Sequence, residues 1–209
     1  MHHFIQIWSD WVLTGGYLGI IALMAIGSTP IPLPAEVVVP PAAFLAAQGR
    51  LSLAGVVLAS TLGAYLGAAV MYWLSLCLGR PLVVRFGRFI LFPPKKLEEA
   101  EHWLARYEAG GVFFARLLPG VRHLISIPAG IVRMNFTVFS VTTLLGSAIS
   151  CSILAYLGVR AHRVAPDLLN DPEGLVHFVR SQSKWLLVIV LAFAALYILS
   201  MSLSKRKAE

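Results

Sequence analysis

Residues 30–41 read Pro30-Ile-Pro-Leu-Pro-Ala-Glu-Val-Val-Val-Pro-Pro41, with five prolines and a single carboxylate, Glu36. Each proline removes a backbone donor and clashes with the preceding turn of a helix. A carboxylate is costly in hydrocarbon. Yet the chain around this stretch is built for hydrocarbon: of 209 residues, 58% are hydrophobic and 13% charged, against about 25% charged in a soluble domain. Composition therefore predicts an all-α polytopic membrane protein, and no polar linker divides it into more than one domain. Broken helix at membrane depth survives only where it is buried in protein or lines a wet cavity. The stretch is therefore read as part of a re-entrant hairpin over 28–48, two half-helices joined at a Pro-rich tip.

Working outward, four segments have the length or polarity of spans, given that about 20 apolar residues cross a bilayer core. They are 11–27, 53–79, 136–159 and 185–203, the last followed by Lys205-Arg206-Lys207. A second interrupted segment, 110–132, carries Pro119, Gly120, Pro128 and Gly130 together with Arg116 and Arg122. It is read as a second re-entrant hairpin. Two kinked transmembrane helices would satisfy the same composition. Between the halves, Leu97, Ala100, Leu104 and Tyr107 recur at helical spacing, which predicts an amphipathic surface helix over 94–109, ended by Gly110-Gly111.

The order hairpin then span occurs twice. Small residues recur at every fourth position in both spans: Ala59, Gly63 and Gly67, then Thr142, Gly146 and Ser150. Such stripes let helix backbones approach closely. With the basic tail placed in the cytoplasm, the two hairpins enter from opposite faces. That is an inverted-topology repeat, the plan of many secondary transporters. General similarity among membrane spans is the alternative.

The net charge of +7 sits between apolar runs, where it sets orientation and meets anionic lipid; no nucleic-acid partner is expected. Cys77 and Cys151 lie in apolar runs without zinc spacing, and no cofactor or metal is expected. The N-terminus lacks a basic n-region and a cleavage site, so no removable signal peptide is expected. The charges within the hairpins carry the functional reading. Two guanidiniums suit a phosphate, because each donates paired hydrogen bonds and stays ionised. Gly120 would permit close backbone approach, and His123 would reach the same headgroup or sit at the interface. Glu36 is the candidate proton carrier. A salt bridge pinning the hairpins together would account for the same three charges.

Pro32-Leu-Pro-Ala-Glu36 and Phe114-Ala-Arg116-Leu-Leu-Pro-Gly120-Val-Arg122, continuing through Pro128-Ala-Gly130, resemble the two hairpins of the DedA family. The resemblance covers roughly residues 15–160. It implies facing re-entrant hairpins in a bacterial inner-membrane protein that flips a phosphate-bearing lipid, such as undecaprenyl phosphate or a phospholipid. It places Glu36 at the acidic hairpin position and Arg116 and Arg122 at the basic ones. Gly27-Ser28 stands where many members have Glu-Asn, which leaves Glu36 as the single acid. An ion-coupled transporter of a soluble substrate fits similar features. A lipid phosphatase would need a nucleophile, a base and an orienting group, and no such set stands at a convincing spacing. The expected partners are therefore the bilayer and a phosphate-headed lipid, with oligomers open.

Overall fold

The computed structural model describes residues 2–28, 34–90, 94–118, 122, 124–164 and 181. These form six helices: α1 (His2–Gly27), α2 (Ala35–Ala47), α3 (Leu53–Ile90), α4 (Pro94–Leu117), α5 (Ser126–Ile131) and α6 (Phe136–Val164). No strand occurs among the described residues. The expected span 185–203 and the prolines at 30 and 32 lie outside them.

Two of the described helices are long and apolar enough to cross a bilayer: Leu53–Gly79 and Phe136–Val164. Their surfaces are arranged for lipid. Outward from α3 point Leu58, Leu62, Leu66 and Val70, and outward from α6 point Val141, Leu145 and Ile149. The inward faces carry small and hydroxylic residues, such as Ser60, Ala64, Ala68 and Ser75 on α3 and Thr143, Gly146 and Ser147 on α6. Apolar stripes this continuous would drive association in water; in a bilayer they meet acyl chains. The protein is a membrane protein, all-helical among the described residues.

The long helices are joined through glycines. A Cβ on Gly63 or Gly67 would lie 2.5 or 2.3 Å from a carbonyl oxygen of α1, and one on Gly146 would lie 2.7 Å from Cβ of Arg116 on α4. A Cβ on Gly158 would lie 2.4 Å from the Pro40 carbonyl of α2, and one on Gly130 of α5 2.3 Å from that of Tyr72 on α3. The main packings are α1 on α3, α2 on α6, α5 on α3, α3 on α6 and α4 on α6.

Several boundaries differ from the sequence expectation. The segment 11–27 is bent at Gly16, whose φ of 53° suits glycine, so the straight apolar piece is Gly15–Gly27. The helix after Leu53 continues beyond residue 79, but through a break at Gly79 with φ 67°. The prolines at 40 and 41 lie inside α2 rather than at a tip. They deprive the carbonyls of Glu36 and Val37 of their helical donors, within a helix whose residues 38–45 are all buried. Most visibly, α4 does not end at Gly110-Gly111 but runs on to Leu117. Leu104, Tyr107, Val112 and Ala115 form one buried stripe along it, and that packing outweighs the roughly 1 kcal/mol that an interior glycine costs.

Two apolar clusters organise the interior. The first joins α1, α2, the start of α3 and the end of α6, around Val38, Val39, Phe44, Leu154 and Leu157. The second joins α3, α4, α5 and the start of α6, around Tyr72, Leu104, Val112, Ile125 and Phe139.

Candidate functional site

A small cavity is lined by residues of α1, α2, α3, α4 and α6. Arg116, the penultimate residue of α4, and Arg122, in the turn before α5, both face it. Both are buried, at 3% and 8% exposure, so each guanidinium is held largely away from water. Gly27 and Ser28 contribute from the end of α1, and Ser147, Ser150 and Cys151 from α6, while Leu23, Met24, Val38 and Ala64 complete an apolar wall. The volume is about 10 Å³, room for about one water molecule. A phosphate headgroup does not fit until helices move.

Local structure aims Arg116 into this space. Gly146 lets the start of its side chain lie against α6. One terminal nitrogen donates to Ser126 Oγ, the first residue of α5, at 2.7 Å. The guanidinium carbon lies 5.9 Å from the Phe139 ring centroid, within cation–π range. The Nε–H is buried and has no acceptor among the described residues. A buried donor left without a partner costs about 1–3 kcal/mol, more for a charged group, so the position is held ready at a cost.

Glu36 is placed differently. It is half-buried in the first turn of α2 and does not line the cavity. That turn is where a helix dipole favours negative charge. The Arg pair is therefore brought to one cavity, while the acid stands outside its lining. Gly120 and His123 lie outside the described residues.

Sequence reasoning missed most of the neutral lining. Ser126, which holds Arg116, is hidden because nothing in its spacing marks it. Ser147 and Cys151 carried no separate signal either. Ser150 was visible in the small-residue stripe, and Gly27-Ser28 as the departure from the family pattern.

The family model described as VTT domain matches residues 33–160. Uncharacterized membrane protein YkoX of Bacillus subtilis is 34% identical over 203 residues, covering 97% of this chain and 86% of its own. Undecaprenyl phosphate transporter A of the same organism is 34% identical over 160 residues, 77% of this chain and 79% of that one. A Lactococcus lactis protein called alkaline phosphatase-like is 32% identical over 148 residues, 68% and 69% of the two chains. No solved structure matches the chain.

Proposed function

Because this chain belongs to the VTT-domain, or DedA, family, we propose that it translocates a phosphate-bearing lipid across the bacterial inner membrane. The headgroup binds between Arg116 and Arg122 while the acyl or prenyl tails remain in the bilayer. The observation that carries this reading is the convergence of two buried guanidiniums on one small cavity. The relative named as an undecaprenyl phosphate transporter supports the same ligand chemistry.

The architecture proposed for this task is an inverted repeat of re-entrant hairpin plus span. Its support is a matched packing pattern. Within the first half α1 packs on α3, and within the second α4 packs on α6; α2 crosses to α6, and α5 crosses to α3. Ser28 and Arg116 occupy equivalent places, since Gly67 approaches Ala25 and Ser28 as Gly146 approaches Phe113 and Arg116. In this scheme Gly120 and His123 assist the headgroup. Glu36, outside the cavity lining, exchanges protons during the cycle, and the scheme assigns no covalent step.

The decisive experiment reconstitutes the protein in liposomes and measures flipping of a fluorescent lipid phosphate. Arg116→Ala and Arg122→Ala are each expected to reduce flipping at least about tenfold, the loss of one charge-assisted hydrogen bond, with the thermal midpoint monitored. Unchanged rates in both folded variants defeat the assignment. Phosphate release from the lipid would favour the chemistry in the Lactococcus protein's name, and a co-purifying soluble solute would favour a secondary transporter. For Glu36→Gln, flipping is expected to lose its dependence on a proton gradient. An unaltered gradient response removes Glu36 from the scheme.

A further inference from the structure

The side chain that steers Arg116 is Ser126. A terminal nitrogen of the guanidinium donates to Ser126 Oγ at 2.7 Å, and both residues are buried. A serine in the first turn of a helix ordinarily offers its oxygen to backbone N–H groups nearby. Here α5 starts from Ile125 without a side-chain cap, and the Ser126 oxygen serves a guanidinium instead. The acceptor is itself fixed. Ser126 has no exposed surface, and Ile127, Pro128, Ala129 and Gly130 after it are buried as well. Gly130 seats α5 against the Tyr72 carbonyl and Ser75 of α3, and the Tyr72 hydroxyl donates to the Met134 carbonyl just beyond α5. A guanidinium carries five N–H donors. Ser126 takes one of them, so the group is anchored while donors remain for a ligand.

We propose that Ser126 is a positioning residue for headgroup binding: it fixes the Arg116 guanidinium before a lipid phosphate arrives. The proposal rests on the lipid-phosphate reading of the cavity. An unrestrained arginine has many rotamers, and ordering it at the moment of binding lowers affinity. The Ser126 bond, with the Phe139 ring near the guanidinium, puts that order in place beforehand. Donor and acceptor stand ten residues apart, so the bond ties α4 to α5 and stays whole when that pair moves against α3 and α6. Ser126 is not part of the cavity lining and acts through Arg116. Its effect therefore falls on the lipid concentration needed for half-maximal flipping rather than on the maximal rate.

The test uses the full chain in liposomes, with a fluorescent lipid phosphate as the probe. Ser126→Ala is expected to raise the half-saturating lipid concentration about fivefold, with the maximal rate per folded molecule within about twofold of wild type. Ser126→Cys keeps the shape but offers only a weak acceptor, and the same rise is expected. In an Arg116→Ala background no guanidinium remains to be held, so Ser126→Ala is expected to add nothing. A packing role predicts the same proportional loss in both backgrounds. The chain labelled with nitrogen-15 arginine, in nanodiscs, gives a readout without lipid. Hindered rotation is expected to separate the two Nη signals of Arg116 in the wild type, and both serine variants are expected to merge them. Where Ser126→Ala fails to fold, Ser126→Cys decides in its place. An unchanged half-saturating concentration, an undiminished effect in the absence of Arg116, or merged Nη signals in the wild type overturns the proposal. Nη signals that respond to the serine variants in a protein that moves no lipid remove the lipid reading and leave the tether on Arg116 standing.

Discussion

The two apolar clusters on either side of the Arg cavity close it by different means. The first is mainly aliphatic: Val38, Val39, Ala42 and Ala43 of α2 meet Leu154, Ala155 and Leu157 of α6, and Phe44 sets its ring edge-on to His162, whose buried Nδ1 has no partner among the described residues. The second is aromatic and threaded with polar joints. Phe139 stacks on Tyr72 at 4.8 Å, and the Tyr72 hydroxyl donates to the Met134 carbonyl. Arg116 holds Ser126, Tyr65 bonds Ser140 across α3 and α6, and the fully buried Thr143 hydroxyl has no partner among the described residues. In lipid, helices gain no hydrophobic drive from meeting, so packing and interhelical hydrogen bonds decide what holds. Dry aliphatic packing, once pulled apart, finds no replacement of equal density. A hydroxyl joint can be exchanged for water or a headgroup. The difference teaches that the aromatic side is the one suited to open.

The largest effect expected is at the close approach of α6 to the backbone of α2 on the aliphatic side. Gly158→Leu puts a side chain where even a Cβ would be 2.4 Å from the Pro40 carbonyl. Since that neighbour is backbone, α2 must move away from α6. Inserting extra methylenes into a packed core costs about 1–3 kcal/mol, and a whole leucine side chain against backbone exceeds that range, so loss of monodisperse protein is expected. A variant as stable as wild type would show that the aliphatic side is not the rigid one.

A paired truncation sharpens the contrast. Phe44 and Phe139 are both fully buried, one in each cluster. Large-to-small core changes at phenylalanine cost about 3–5 kcal/mol in soluble proteins, and the van der Waals part of that loss operates in lipid too. Phe44→Ala is expected to act on stability, with lipid flipping per folded molecule near wild type. Phe139→Ala also removes the ring beneath Arg116, so flipping is expected to change beyond the stability loss. Equal ratios of flipping to stability in the two variants would dissolve the distinction between the regions.

Much of this plan was legible in the sequence, and the rest was hidden for identifiable reasons. Uncharged runs disclosed the spans 53–79 and 136–159, because lipid imposes composition on every exposed position. The spacing of Arg116 and Arg122 marked the charged site, since charges are scarce where they are expensive. Helix ends were harder. Gly110-Gly111 looks like a terminus, yet α4 passes through it, because the stripe containing Val112 and Ala115 is buried against other helices. Pro40-Pro41 looks like a tip, yet both lie within α2. In each case the deciding neighbours are residues distant in sequence, and local pattern holds no record of them. The position of Glu36 outside the cavity lining has the same origin: a residue's helix was readable, but its direction into a shared space was not.

The smallest effect tests the polar joints themselves. Tyr72→Phe keeps the ring that stacks on Phe139 and deletes the hydroxyl that ties α3 to the turn before α6 through the Met134 carbonyl. A single such bond contributes about 0.5–1.5 kcal/mol, so the thermal midpoint is expected to fall only slightly. If this side opens to admit a headgroup, the bond must break in each cycle, and its absence should lower the barrier. Flipping is therefore expected to rise, by up to about tenfold, which corresponds to about 1.4 kcal/mol. A slight loss of stability joined to slower flipping would mean that the Tyr72 joint supports the working conformation rather than restraining it. The opening side would then have to be sought at the aliphatic cluster.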